Sequence, residues 1–174
     1  MSKFGLRKLG FGILLFGMAV CCYTASPVKA AETDVPIDDT NFPDSTFQKY
    51  VKSNFDTDKD GSLSESERNA VKKIVVNVDP FSSQTKITSL AGIEYFPNLT
   101  VLECESNSLA GLDVTKNKKL QELNCDKNNL QSLDVSQNTE LIKLQCRYNQ
   151  LPGLDVTKNT NLQKLWIYEN QISS

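Results

Sequence analysis

The stretch DTDKDGSLSESE, residues 56–67, places acids at alternate positions, a glycine at the sixth place and a glutamate at the twelfth. Carboxylates this close repel one another, and a folding chain does not need such an arrangement for its own sake. A divalent cation among them turns the repulsion into coordination. Hard cations take oxygen ligands, and this spacing offers them in order. Asp56, Asp58 and Asp60 supply carboxylates, Ser62 its backbone carbonyl, Ser64 a direct or water-bridged contact, and Glu67 two oxygens that close the shell. Gly61 permits the sharp turn, and Leu63 at the apolar eighth position ties the loop into a core. A flexible oxygen cage favours calcium over magnesium, with a dissociation constant of about 10⁻⁴ to 10⁻³ M for an extracellular module.

Such a loop must be held between two helices. Before it stands NFPDSTFQKYVKSNF, with Asp44 as N-cap and Phe47, Tyr50, Val51 and Phe55 at helical spacing; after it, SESERNAVKK predicts a second helix. Helix, loop and helix together match the EF-hand pattern. EF-hands pair, and this one is alone, so the simplest expectation is that its helices pack on the open end of the C-terminal part of the chain and that calcium rigidifies a cap.

That C-terminal part is a repeat. LTVLECESNSLAGLDVTKNKK (99–119), LQELNCDKNNLQSLDVSQNTE (120–140) and LIKLQCRYNQLPGLDVTKNTN (141–161) align without a gap at a period of 21, and LQKLWIYENQISS begins a fourth. Each carries L-x-x-L-x-C/I-x-x-N-x-L/I, the mark of a leucine-rich repeat: one short strand per repeat, with leucines directed into a core that only stacked neighbours can close. Asn107, Asn128, Asn149 and Asn170 fall where the chain leaves each strand, and Asn117, Asn138 and Asn159 mark a second bend. Their amides are expected to satisfy backbone groups of adjacent rungs. Cys104, Cys125 and Cys146 occupy one position of successive repeats. Stacked in register about 4.8 Å apart and pointing the same way, they suit neither a disulfide nor a tetrahedral zinc site, and read as a ladder of small buried hydrophobes. Upstream, Val71, Ile74 and Val76 predict a first strand, NVDPFSSQTK a wider loop, and Ile87, Leu90 and Ile93 a return leg.

Alternation along each strand also locates a binding face, since the third, fifth and seventh residues of each repeat point out of the concave sheet. They read Val101, Glu103, Glu105; Glu122, Asn124, Asp126; Lys143, Gln145, Arg147; Lys164, Trp166, Tyr168, a run from acidic to basic and aromatic. Lys143, Arg147, Tyr148, Lys164, Trp166 and Tyr168 are therefore the expected ligand-binding residues, with the composition of an interface hot spot.

The first thirty residues read as an export signal. Lys3, Arg7 and Lys8 precede an apolar run from Leu9 to Tyr23, and Val28-Lys29-Ala30 is a small-x-small cleavage site. Acylation at Cys21 or Cys22 is the competing reading. Removal of the signal takes four basic residues and no acid, leaving 15 basic and 21 acidic residues, a net charge of −6 that argues against nucleic acid as partner. The chain contains no histidine, which removes the commonest general base, the serine and cysteine triads and most zinc sites. The acids are scattered among the repeats with no pocket to perturb them, so catalysis is not expected.

LxxLxCxxNxL followed by LDVTKN or LDVSQN, over residues 71–174, resembles the secreted or surface leucine-rich-repeat proteins of Firmicutes with 21-residue cysteine-bearing repeats, the internalin J-like group. FGLRKLGFGILLFG is similar to a YSIRK-type signal peptide. The resemblance implies an exported binding module for protein or glycan ligands, often at a host surface; the alternative is a passive spacer that presents a further domain. The expected fold is an α/β solenoid: a signal peptide (1–30), a helical cap with the EF-hand-like loop (31–70) and a leucine-rich-repeat array with short parallel strands on its concave face (71–174). Because the fourth repeat stops at Ser174 before its LDV segment, the array is expected either to continue in a longer protein or to cover its end by self-association.

Overall fold

The computed structural model describes residues 33–172. The export-signal and cleavage-site expectation lies outside them. The element order is β1 (Val35–Pro36), α1 (Ser45–Asn54), β2 (Ser62–Leu63), α2 (Glu65–Ala70), β3 (Lys73–Val75), a 3-10 turn (Ile93–Tyr95), then β4 (Val101–Glu103), β5 (Glu122–Asn124), β6 (Lys143–Gln145) and β7 (Lys164–Trp166). Strands β3 to β7 form one parallel sheet in sequence order, and β1 and β2 form a separate antiparallel pair. This is the leucine-rich-repeat solenoid that the repeat predicts.

The register follows from the repeat. Val101 pairs with Glu122, Glu122 with Lys143 and Lys143 with Lys164, each 21 residues apart, whereas Lys73 pairs with Val101 across 28 residues. The seven extra residues of the first rung belong to the wider loop anticipated around Asp79–Ser82, where Ser82 N–H donates to Asp79 O at 2.9 Å in a tight turn. On the inner side Ile74, Leu102, Leu123 and Leu144 stack in one fully buried column, with Cys104, Cys125 and Cys146 forming a second. Each buried leucine contributes about 1.5–3 kcal/mol, but only because a neighbouring rung covers it.

Stacked rungs also bury polar backbone, and the asparagines answer for it. Asn128 Nδ2 donates to Cys104 O (3.0 Å) and Cys125 O (3.1 Å), while its Oδ1 accepts from Leu109 N (3.0 Å). Asn107, Asn149 and Asn170 repeat the pattern. On the second bend, Asn138 Nδ2 donates to Val114 O and Asn117 O, both at 2.9 Å, with Asn117 and Asn159 doing the same one rung to either side. These bonds also fix an unusual conformation: Ser106, Lys127, Tyr148 and Glu169, each just before an asparagine of the first series, have φ of 53° to 64°. None is glycine, so each carries strain that the surrounding bonds must hold.

The cap sits on the first rung through aromatic rings. Phe42 packs on Tyr95 (5.8 Å between centroids) and Phe96 (6.5 Å), and Phe55 packs on Phe96 (5.3 Å). Gly92, at φ 107°, makes room: a Cβ there would lie 2.3 Å from Phe42 Cδ1. Asp44 caps α1 by accepting from Thr46 N and Phe47 N, and its other oxygen reaches the array at Thr88 N and Oγ1. One expectation needs correction. Helix α2 does not run through SESERNAVKK but ends at Ala70, with Val71 already extended (ψ 117°). The chain leaves the helix there because Ile74 must enter the core column and Lys73 must pair with Val101.

Candidate functional site

On the solvent side of the sheet, the acids of the first rungs are answered by cations. Lys73 Nζ lies 2.7 Å from Glu103 Oε1, Lys127 Nζ 2.7 Å from Glu105 Oε1, and Lys143 Nζ 3.8 Å from Glu122. Asn77 and Asn124 donate to the second oxygens of Glu103 and Glu105. The lysine hydrogen bonds hold both carboxyls below the ordinary glutamate range. The run from acidic to basic read along the sequence is therefore corrected at the level of the folded face: these acids stand in ion pairs, so they present no unbalanced anionic half.

Asp126 is a second correction. It does not project to solvent but is fully buried. Its Oδ1 accepts Arg147 N at 2.6 Å, its Oδ2 accepts Arg147 Nε at 2.7 Å, and Arg147 Nη2 closes the ion pair. The buried carboxylate raises the guanidinium's already high pKa. Both residues hold the seventh place of adjacent repeats, so the signal for this pair is an acid and a base at the same repeat position, one period apart.

That pair braces the aromatic end of the face. Arg147 Nη1 donates to Tyr168 Oη at 2.8 Å, and the guanidinium carbon lies 5.4 Å from the Tyr168 ring centre. Tyr148 meets Tyr168 edge to face at 5.8 Å, and both rings remain about half exposed (47% and 51%). Lys143 Nζ stands 6.0 Å from the Trp166 ring, which is half-buried rather than open to solvent. Lys164 is exposed on β7. Of the six residues singled out by sequence, Arg147, Tyr148 and Tyr168 form one cluster and Lys143 with Trp166 another. Arg147 serves as a strut whose donors are engaged.

In the loop at the other end, one oxygen each of Asp56, Asp58 and Asp60 lies within 4.8 Å of the others. Backbone bonds arrange them: Asp56 Oδ2 accepts Gly61 N (3.1 Å), Asp58 Oδ1 accepts Asp60 N (3.2 Å) and Asp60 Oδ1 accepts Ser62 N (2.7 Å). Gly61 has φ 89°, the left-handed turn the motif requires. Glu67 is not grouped with the three aspartates. Its Oε1 accepts Thr57 N (2.6 Å) and Thr57 Oγ1 (2.7 Å), and its Oε2 accepts Ser64 N (2.9 Å) and Ser64 Oγ (2.8 Å). Burial would raise its carboxyl, but these four donors outweigh it and pull the group down to about 2. Ser64 caps α2 and completes a capping box with Glu67. Sequence reading missed Thr57, a residue that the ligand pattern leaves blank, and β1. Val35 pairs with Leu63 and Pro36 with Ser62, and Ile37 N–H donates to Gly61 O at 2.9 Å.

Cys104, Cys125 and Cys146 stay free and buried, each thiol directed at the carbonyl of the next rung: Cys104 to Asn124 O and Cys125 to Gln145 O at 3.4 Å, Cys146 to Trp166 O at 3.6 Å. Burial pushes all three thiols up, Cys146 to about 12.

No protein-family model matches the chain, and no curated protein matches it. Among solved structures, it is similar to the functional domain of InlJ from Listeria monocytogenes, which includes a cysteine ladder, at 32% identity and TM-score 0.70 over 80% of this chain and 30% of that one. It also resembles two internalins of the same organism, InlF (19% identity, TM-score 0.66, 83% of this chain and 48% of that one) and internalin C2 (20%, 0.58, 81% and 71%), which at those identities share the fold alone. The chain thus spans less than a third of the InlJ chain and about half of the InlF chain. No helix among the described residues is long and apolar enough to cross a membrane. The likeness to internalins is one of leucine-rich-repeat fold, and with InlJ it extends to a ladder of cysteines.

Proposed function

We propose that the chain is the binding module of a secreted or cell-surface protein, and that it engages a partner protein through the solvent side of its sheet. The observation that carries this reading is the half-exposed Tyr148–Tyr168 pair held by the Arg147–Asp126 strut. Aromatic rings already fixed in place lose little entropy on binding, and Tyr, Trp and Arg dominate interface energetics. Lys164, exposed beside them, favours an anionic partner surface. The likeness to InlJ, the histidine-free composition and the export-like first thirty residues support a binding role outside the cell over a catalytic one. Adhesion to a host is the biological setting that the internalin resemblance suggests, and a glycan stacked on the same rings is the rival ligand.

A screen of the chain against immobilised extracellular proteins and glycans tests this, followed by Tyr148→Ala and Tyr168→Ala. Each substitution should weaken binding at least about tenfold, the cost of losing a hot-spot side chain, with the melting temperature unchanged. A ligand indifferent to both substitutions moves the site elsewhere. Binding to no protein or glycan favours the passive spacer.

A further inference from the structure

The loop of residues 56–67 contains one atom that the fold leaves without a partner. Asp56 is 5% exposed; its Oδ2 accepts from Gly61 N, and its Oδ1 is buried with no hydrogen bond at all. A buried carboxylate oxygen without a donor is costly unless a cation meets it. Asp58 and Asp60 bring two further carboxylates within 4.8 Å, which raises the cost again in the absence of a counter-charge. Backbone N–H groups hold one oxygen of each aspartate in place, so the cluster is organised before any ion arrives.

We propose that this loop binds one calcium ion through Asp56, Asp58, Asp60 and the Ser62 carbonyl, and that β1 closes the loop from outside in the place where paired EF-hands put their second loop. Glu67 acts as a clasp. Its hydrogen bonds join Thr57, at the second position of the loop, to Ser64, at the ninth, and so set the spacing of the aspartates between them. The strand Val35–Pro36 pairs with Ser62–Leu63 at the centre of the loop, Leu63 is fully buried, and the Ile37 N–H reaches Gly61 O. This explains how a lone loop stands without a partner. It also ties the ion to the N-terminal strand, because Gly61 and Ser62 belong at once to the cation site and to that pairing. The loop stands apart from the aromatic face, so this inference holds or fails independently of partner binding.

The test uses the full chain freed of metal with a chelator and then titrated with calcium chloride alone. Calorimetry should give one ion per chain. At ten times the dissociation constant the melting temperature should rise by about 3–6 °C, and hydrogen exchange at the Ile37 amide should slow about tenfold. The Asp58→Asn/Asp60→Asn double variant alters two exposed side chains and keeps the Oδ1 acceptors, so it should fold as the parent does in chelator and lose every response to calcium. The proposal is overturned by the absence of binding heat and of any thermal shift in 10 mM calcium, or by a response that survives in the double variant or is matched by magnesium at equal concentration. Binding with unchanged exchange at Ile37 would overturn the role given to β1.

Discussion

In residues 33–70 each contact is made once. Phe42 has one seat, over Gly92 and against Tyr95 and Phe96; Asp44 has one tie to the array, at Thr88; and one strand pairs with one loop. In residues 99–172 the same contacts recur at every rung: leucine on leucine, asparagine to the two carbonyls before it, thiol to the next carbonyl. Singular contacts tie the stability of the cap to individual residues, whereas repetition spreads it over neighbours in a nearly one-dimensional ladder. The repeated design has its own weakness: any property shared by the repeats is multiplied by their number.

pH separates the two regions most strongly. The three thiols, all in the array, are raised by burial from an ordinary value of 9.0. The folded state therefore keeps protons that the unfolded chain releases, so this contribution is whole below pH 9 and falls as pH climbs toward 12. Each thiol that keeps its proton in the fold costs about 1.4 kcal/mol per pH unit once the unfolded chain ionises. Denaturant melts between pH 8 and 11 should show the slope of all three, and Cys125→Ala should remove about a third of it. Asp44 acts in the opposite sense in the cap. Burial opposes its ionisation, but bonds from Thr88, Phe47 and Thr46 win and lower its pKa below 3.8, so its contribution is present above that value and lost as pH falls beneath it. Alkali should therefore loosen the array before the cap; the reverse order, followed by hydrogen exchange, would break the comparison.

Phe42→Ala should cost about 3–5 kcal/mol in urea unfolding, as for other fully buried phenylalanines. Gly92→Ala should cost a similar amount from the other side of the contact, since its Cβ would collide with the Phe42 ring at a φ of 107°. If the cap is singular, the two losses will not add, because either one unseats the same ring.

Within the array the expected effects are smaller. Asn138→Ala takes one of two donors from each of Val114 O and Asn117 O, which keep their bonds from Asn117 N and Leu120 N, and should cost about 1–3 kcal/mol. Asn170→Ala, at the half-buried last described rung, should cost roughly half as much. Equal costs would argue against a graded ladder. The smallest change should be a gain. Ser106 holds φ 64°, and its buried Oγ has no partner, so Ser106→Gly removes both defects and should stabilise by about 0.5–1 kcal/mol even after the entropy of a freer unfolded chain. A thermal melt detects it; a loss would show that the hydroxyl contributes something the geometry does not reveal.

Much of this molecule could be read from spacing, because its signals are local or periodic. The 21-residue period set the register of β4 to β7, the asparagine positions set both hydrogen-bond ladders, and the Asp44 cap with its apolar helix positions set α1. The aspartates of the loop were legible for the same reason, since backbone bonds between near neighbours gather them. Tertiary structure decided what no local pattern contains. It chose which way Asp126 turns, since its burial depends on an arginine one rung away. It ended α2 at Ala70, where helix propensity gave way to the core's need for Ile74. It engaged Glu67 with Thr57 and Ser64, seated Phe42 on Gly92, and gave the lone loop a partner in Val35–Pro36, a two-residue strand too short to carry a signal of its own. Spacing along the chain fixes what each rung repeats; contacts made once, between segments distant in sequence, form only where packing brings those segments together.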